Sequence, residues 1–160
     1  MTAPVTDAQV VFGKYLGALT FFVILWALPI GYMGLMQLRY GADVDWGTMA
    51  AATCGICFLG AVYLASGLFA SSVTDNQLVA AIVSLLVNLI LFLVPFTGQY
   101  TVLGQRSESV RKTLGAMDVF AHSQDFTRGV FDWSTAIYYL SMIGLFLFLA
   151  VRMVEARKWR

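Results

Sequence analysis

The sequence YLGALTFFVILWALPIGYMGLMQL, residues 15–38, contains no charged side chain over 24 positions. Three further runs share this property: residues 46–74, 76–105 and 133–151 are uncharged over 29, 30 and 19 positions. A helix of about 20 apolar residues crosses the roughly 30 Å hydrocarbon core of a bilayer. Each run is therefore long enough to span a membrane once, and the sequence predicts an all-α integral membrane protein.

The amino-acid composition also indicates that much of the chain is surrounded by lipid. Of 160 residues, 59% are hydrophobic and 12% are charged, against roughly 45–50% and about 25% in soluble domains. A soluble fold of this size would expose large apolar patches. The formal net charge of +1 gives no reason to expect nucleic acid as a partner. Membrane lipid is the partner that the composition favours.

Four transmembrane helices are predicted within a single domain, residues 1–160, at about 10–38, 46–70, 77–96 and 133–151. Pro29 lies inside the first, where neighbouring helices can satisfy the freed carbonyl. Thr74 or Asp75 is expected to cap the third helix. Asn88, within that helix, is the clearest polar residue at membrane depth. An interhelical hydrogen bond and a functional role are both open for it.

Residues 97–132 differ from the rest because they carry nearly half of the charges. Between Arg106 and Ala121, apolar residues recur at helical spacing and charged residues fall between them. Such a pattern is typical of an amphipathic helix that lies along the membrane surface. A lid over a transport path is the alternative, and the pattern alone does not choose. The apolar positions are Val110, Leu114, Met117 and Ala121.

No catalytic or metal site is expected. Cys54 and Cys57 form a C-x-x-C pattern inside an apolar run, where small helix-packing residues are the simpler interpretation, and His122 is the only histidine. Asp125 and Arg128 follow His122, but a cap, an interfacial anchor and a salt bridge are favoured over acid–base catalysis. The chain has no phosphate-binding G-x-x-x-x-G-K-[ST] loop. We therefore expect no enzyme activity and no cofactor.

The charge distribution gives a weak indication of topology. Four spans place both termini on one side of the membrane. The basic tail, which begins at Arg152, lies directly beside the last helix, whereas the Thr97–Asp132 loop is balanced by acidic residues. The positive-inside rule therefore favours cytoplasmic termini and an outer location for that loop.

Three groups of segments carry a resemblance to a known family. At the C-terminus they are HSQDFTRGVFD at 122–132, YYLS at 138–141 and VEARKWR at 154–160; at the start, TAPVTD at 2–7 and GKYLG at 13–17; and between them GLFASSVTDNQ at 67–77. In this order and spacing they resemble ABC-2 type transporter permeases, in particular the gliding-motility-associated branch. That family has six membrane helices. The resemblance implies that this chain corresponds to the last four and lacks the first two.

The resemblance implies a permease subunit of an ATP-driven exporter in the bacterial inner membrane, with both termini cytoplasmic. Its partners would be an ABC ATPase, which hydrolyses ATP, and a second permease subunit. Asn88 would lie near the dimer seam. A non-transport membrane scaffold or assembly protein is the alternative. The implied ATPase-coupling residues are Thr2, Ala3, Pro4, Val5, Thr6 and Asp7, and those of a second cytoplasmic turn are Ser71, Ser72, Thr74, Asp75 and Asn76.

Overall fold

The computed structural model describes residues 6–41, 43–100, 126, 129 and 132–157, with only the backbone described for 94–100 and 157. Four helices make up nearly all of this part of the chain, and no strand occurs within it. They are α1 (Asp7–Tyr40), α2 (Trp46–Ser72), α3 (Gln77–Tyr100) and α4 (Trp133–Arg157). The prediction of an all-α fold is confirmed for this part of the chain.

Three of these helices are long and apolar enough to cross a membrane: α1, α2 and the Trp133–Ala156 part of α4. The prediction of a membrane protein is confirmed to that extent. Helix α3 has 24 residues, and its part with described side chains, Gln77–Leu93, is a shorter apolar helix. Its crossing of the membrane stays a prediction. The predicted surface helix 106–121, with His122, Asp125 and Arg128, lies outside the described residues.

Local hydrogen bonds fix where each helix starts. A capping box opens α1: the Thr6 N–H donates to Gln9 Oε1 at 3.0 Å, and the Gln9 N–H donates to Thr6 Oγ1 at 3.4 Å. Asn76 occupies the cap position of α3, because the helix begins at Gln77 and the Asn76 Oδ1 accepts from the Leu78 N–H at 3.0 Å. The predicted cap was wrong by one or two positions, since several residues of this turn can serve as caps.

Helices α1 and α2 run antiparallel. Near their connection, the Trp46 indole N–H donates to Gln37 Oε1 at 2.8 Å. Further along, the Tyr15 hydroxyl of α1 donates to the Ala61 backbone oxygen of α2 at 3.2 Å. Residue numbers therefore fall along α1 as they rise along α2. The start of α1 consequently lies at the end of the bundle where α2 finishes.

Helices α2 and α4 run parallel. The ring of Phe58 stacks on Tyr139, with centroids 5.8 Å apart, and Phe69 packs against Phe146 at 6.2 Å. Residue numbers thus rise together along both helices. Since α2 finishes at one end of the bundle and α4 starts at the other, the chain returns along the bundle between them.

Helix α3 runs along α2 in the direction of this return. Gly67 of α2 faces Ser84 of α3, and Ser66 bonds to Asn88. Residue numbers fall along α2 while they rise along α3, so the two helices are antiparallel. Helix α3 therefore leaves the Ser72 end of α2 and proceeds towards the end where α4 begins.

The buried core lies where α1, α2 and α4 meet. Small side chains of α2, among them the fully buried Ala65, let the neighbouring helices approach closely. Large apolar side chains cover the outside: Leu38 is 87% exposed and Leu85 is 67% exposed. Water would penalise such a surface, whereas lipid would not. The buried cluster comprises Val11, Tyr15, Ala61, Val62, Ala65, Phe126, Tyr139, Ile143, Leu147 and Ala150.

Candidate functional site

A groove, which we call the α1–α3 groove, lies between α1 and α3 over one face of α2. It consists of two adjoining cavities of about 340 and 300 Å³. Tyr63 and Leu64 of α2 and Asn88 of α3 border both cavities. The groove exists because α1 and α3 each pack against α2 at different faces.

Asn88 is held in the middle of the groove by a contact with α2. The hydroxyl of Ser66, which is fully buried, donates to Asn88 Oδ1 at 2.5 Å. The same hydroxyl lies 3.0 Å from the backbone oxygen of Tyr63. A serine hydroxyl has one hydrogen, so these two acceptors compete for it. The predicted interhelical hydrogen bond of Asn88 is present, and its partner is Ser66.

Glycine at position 67 allows α3 to approach α2 beside this bond. A Cβ atom at Gly67 would lie 2.9 Å from Ser84 Oγ and 3.8 Å from Asn88 Nδ2. A larger residue would therefore require the Ser84 side chain to rotate or the two helices to separate. Gly67 thus permits a close approach of α3 beside the Ser66–Asn88 bond.

The two ends of the groove differ in polarity. Lys14 of α1, Ser71 of α2 and Ser84 of α3 border the larger cavity. Trp26 and Leu59 border the smaller cavity, whose lining is almost entirely apolar. Among the described residues that line the groove, Lys14 alone carries a charge. The groove thus passes from a cationic, hydroxyl-bearing end to an apolar end.

The structure brings the described members of both groups of predicted coupling residues to one end of the bundle. Lys14, two turns into α1, and Ser71, at the end of α2, border the same cavity. Thr6 and Asp7 at the start of α1 consequently lie at the same end as the turn between α2 and α3. Thr74, Asp75 and Asn76 lie in that turn, whereas Ser71 and Ser72, predicted to lie in it, are the last two residues of α2, because the helix continues past its predicted end at 70. Thr2, Ala3, Pro4 and Val5 lie outside the described residues.

Sequence reasoning did not identify Ser66, Ser84 or Lys14 as members of a site with Asn88. The serines looked like ordinary small residues of membrane helices, and Lys14 looked like a flanking charge. Only the register between α1, α2 and α3 brings them together. A polar residue on α3 signals that a partner exists, but not which helix or position supplies it.

At the opposite end of the bundle, Asp45 caps α2. Its Oδ1 accepts from the Gly47 N–H at 3.0 Å and the Thr48 N–H at 3.3 Å, and its Oδ2 accepts from the Thr48 hydroxyl at 2.6 Å. These bonds, the one from the Thr48 hydroxyl foremost, lower the pKa of Asp45 below its ordinary value of 3.8. The carboxylate acts as a helix cap and lies outside the α1–α3 groove.

The two cysteines lie within α2 and form no disulfide with each other. Cys54 and Cys57 are free thiols on α2, three residues apart on one helical face. Within the described part of the chain, no group of three or more histidine, cysteine, aspartate or glutamate residues is placed to hold a metal ion. Their interpretation as packing residues is the simpler one for this geometry.

Comparison of the chain with protein-family models, with curated proteins and with solved structures gave no match.

Proposed function

We propose that this chain is a transmembrane permease subunit of an ATP-driven ABC transporter of the ABC-2 type, an exporter whose ATP hydrolysis is supplied by a separate subunit. One observation carries the proposal. The start of α1 and the turn between α2 and α3, which the resemblance assigns to ATPase contact, lie at one end of the bundle. Two segments far apart in sequence thereby offer a single docking face to a cytoplasmic partner.

The proposed topology has four membrane crossings and cytoplasmic termini in the bacterial inner membrane. The parallel course of α2 and α4 supports it, because two parallel crossings require a return crossing between them, and α3 has the direction and the length for it. At 1.5 Å per residue, its 24 residues extend about 36 Å, enough for a roughly 30 Å core.

In this proposal, the start of α1 conveys the motion of the ATPase into the membrane. The capping box links Thr6 to Gln9 by two hydrogen bonds, so the first turn of α1 has a fixed conformation and a displacement of Thr6 is transmitted to the helix. Helix α1 then continues for 34 residues, and a displacement at Asp7 moves the wall of the α1–α3 groove. ATP binding to the partner shifts the equilibrium between two helix arrangements, if the partner binds one of them more tightly. A second permease subunit completes the assembly.

The proposal predicts an ABC ATPase gene beside the gene of this chain, and co-expression of the two proteins tests it. A cysteine placed at Asp75, in a Cys54→Ala, Cys57→Ala background, should crosslink to the ATPase, and a cysteine at Asp43 at the far end of the bundle should not. Purified complex should hydrolyse ATP in a substrate-stimulated manner. A chain that recovers other membrane proteins but no ATPase acts as a scaffold or assembly protein, and the transport proposal then fails.

A further inference from the structure

We propose that the α1–α3 groove binds one anionic phospholipid, with its phosphate at Lys14 and an acyl chain along the apolar half. This proposal requires that the chain is inserted in a membrane, and it holds whether or not the chain transports a substrate. Three properties of the groove support it: its charge, its length and the order of polar groups along it.

The charge of the groove selects for an anionic headgroup. Lys14 is exposed and borders the larger cavity together with the hydroxyls of Ser71 and Ser84. No carboxylate is among the described residues that line either cavity. Lysine buries its stem along apolar surface and keeps its ammonium at the membrane interface. A phosphate group at this position gains the ammonium and two hydroxyl donors.

The length of the groove matches one leaflet of a bilayer. Helix α2 borders the two cavities from Ile56 to Ser71, which is about 22 Å at 1.5 Å per residue. With its headgroup layers a bilayer is roughly 40–45 Å thick, so one leaflet from the headgroups to the midplane is about 20–22 Å. An acyl chain anchored at the Lys14 end therefore reaches the aromatic end at Phe22 and Trp26 within the same leaflet.

The polar groups follow the order of groups in a phospholipid. Between the headgroup and the acyl chains lie the ester carbonyls of the glycerol, which accept hydrogen bonds. Asn88 lies between the charged and the apolar ends and borders both cavities. With its Oδ1 engaged by Ser66, its Nδ2 hydrogens are donors suited to such a carbonyl.

A protein helix is a poorer fit to the same space. A helix 22 Å long and about 10 Å wide fills roughly 1,700 Å³, between two and three times the combined volume of the 340 and 300 Å³ cavities. A helix would rest on the rim of the groove and leave its floor, at Tyr63 and Leu64, unfilled. A flexible acyl chain can follow the floor.

Native mass spectrometry of the full chain, released from detergent micelles, tests the proposal with dioleoyl phosphatidylglycerol and dioleoyl phosphatidylcholine as probes. These lipids share their acyl chains and differ in net charge. The unmodified chain should retain the anionic lipid roughly fivefold better, as one lysine at a membrane surface provides. Lys14→Gln should bring the ratio to about one, while Lys14→Arg should keep it. Arg152→Gln, at the same end of the bundle but outside the groove, should not change it.

A second variant tests the groove itself. Ala18 borders the larger cavity, so Ala18→Phe should fill it and reduce the retention of both lipids, whereas Leu16→Phe on the exposed face of α1 should reduce neither. Equal retention of the two lipids by the unmodified chain overturns the proposal. So does a preference that survives in Lys14→Gln or disappears in Lys14→Arg, or lipid retention unaffected by Ala18→Phe.

Discussion

The hydroxyl of Ser66 in α2 donates a hydrogen bond to Oδ1 of Asn88 in α3. This bond joins two helices inside the apolar part of the bundle, where hydrogen-bonding water is scarce. Ser66 is fully buried, and Gly67 beside it permits the close crossing. The bond fixes the register of α3 on α2, and it also orients Asn88 at the centre of the α1–α3 groove.

Replacing either residue should weaken the pairing of α2 and α3. Ser66→Ala and Asn88→Ala should each lower the free energy of unfolding, with a coupling energy between the two of about 0.6 kcal/mol, and at most about 1.7 kcal/mol, as double-mutant cycles give for interhelical hydrogen bonds in membranes. The double variant should cost less than the sum of the two, because both remove one bond. Reversible unfolding in mixed micelles measures these values. Ser141→Ala, at a serine that bonds within α4, is the control, and additive costs would contradict a direct bond.

Close packing at Gly55 makes a second prediction about stability. A Cβ atom at Gly55 would lie 2.6 Å from Cβ of Phe126, which is fully buried and cannot move without displacing its backbone. Gly55→Ala should therefore destabilise the fold by about 1–3 kcal/mol, as overpacked cores do. Gly17→Ala, where nothing lies within 4 Å of the added carbon, should be neutral or stabilising by up to about 1 kcal/mol. Equal melting temperatures for the two variants would show that Phe126 does not pack there.

The Asp45 cap predicts that the stability of the first turn of α2 depends on pH. The pKa of Asp45 is lowered in the folded chain by its hydrogen bonds from Thr48 and Gly47. Its contribution to stability is therefore fully present above the ordinary value of 3.8 and is lost as the pH falls through the lower folded pKa. The protection of the Gly47 and Thr48 amides, which is the intrinsic exchange rate at a given pH divided by the measured rate, should fall over that range. Asp45→Ala should show low protection already at pH 7 and little further change, whereas Asp43→Ala should behave as the unmodified chain.

The sequence predicted the helices better than their contacts. Charge-free runs such as residues 15–38 reveal membrane-length helices because length and hydropathy are local properties. The partner of Asn88 was not predictable, since many small polar residues on α2 are equivalent in sequence and only the helix register selects Ser66. The cap of α3 was misplaced because Thr74, Asp75 and Asn76 are all competent caps. The position of Lys14 in the groove was not predictable either, because it depends on how α1 packs on α2.

The proposed topology is tested by cysteine labelling from outside intact cells, after Cys54→Ala and Cys57→Ala remove the native thiols. A cysteine at Asp43, in the exposed connection between α1 and α2, and one at Ser107 should react with an impermeant reagent. A cysteine at Asp75 should react only after the membrane is permeabilised, because α2 separates it from Asp43. The reverse pattern would place both termini outside and remove the ATPase contact.

The last prediction concerns the end of the bundle where α1 starts. If residues 2–7 convey ATPase motion into α1, then Val5→Trp combined with Asp7→Lys should lower recovery of the ATPase about tenfold, equivalent to 1.4 kcal/mol of binding. Transport should fall in parallel while membrane insertion persists. In the proposed topology, a cytoplasmic partner reaches only the start of α1. The Asp7→Lys change reverses a charge there, beside the Thr6–Gln9 capping box.

The matched control for this change is Asp43→Lys, which reverses a charge in an exposed loop at the opposite end of the bundle. It should leave ATPase recovery and transport unchanged, since the proposed topology places that loop outside the cell. Equal losses in both variants would indicate a general defect in folding or insertion, and unchanged recovery with Val5→Trp, Asp7→Lys would remove the coupling role. Both readouts are needed because a coupling segment affects binding and transport together, whereas a groove variant such as Ala18→Phe should leave ATPase recovery intact.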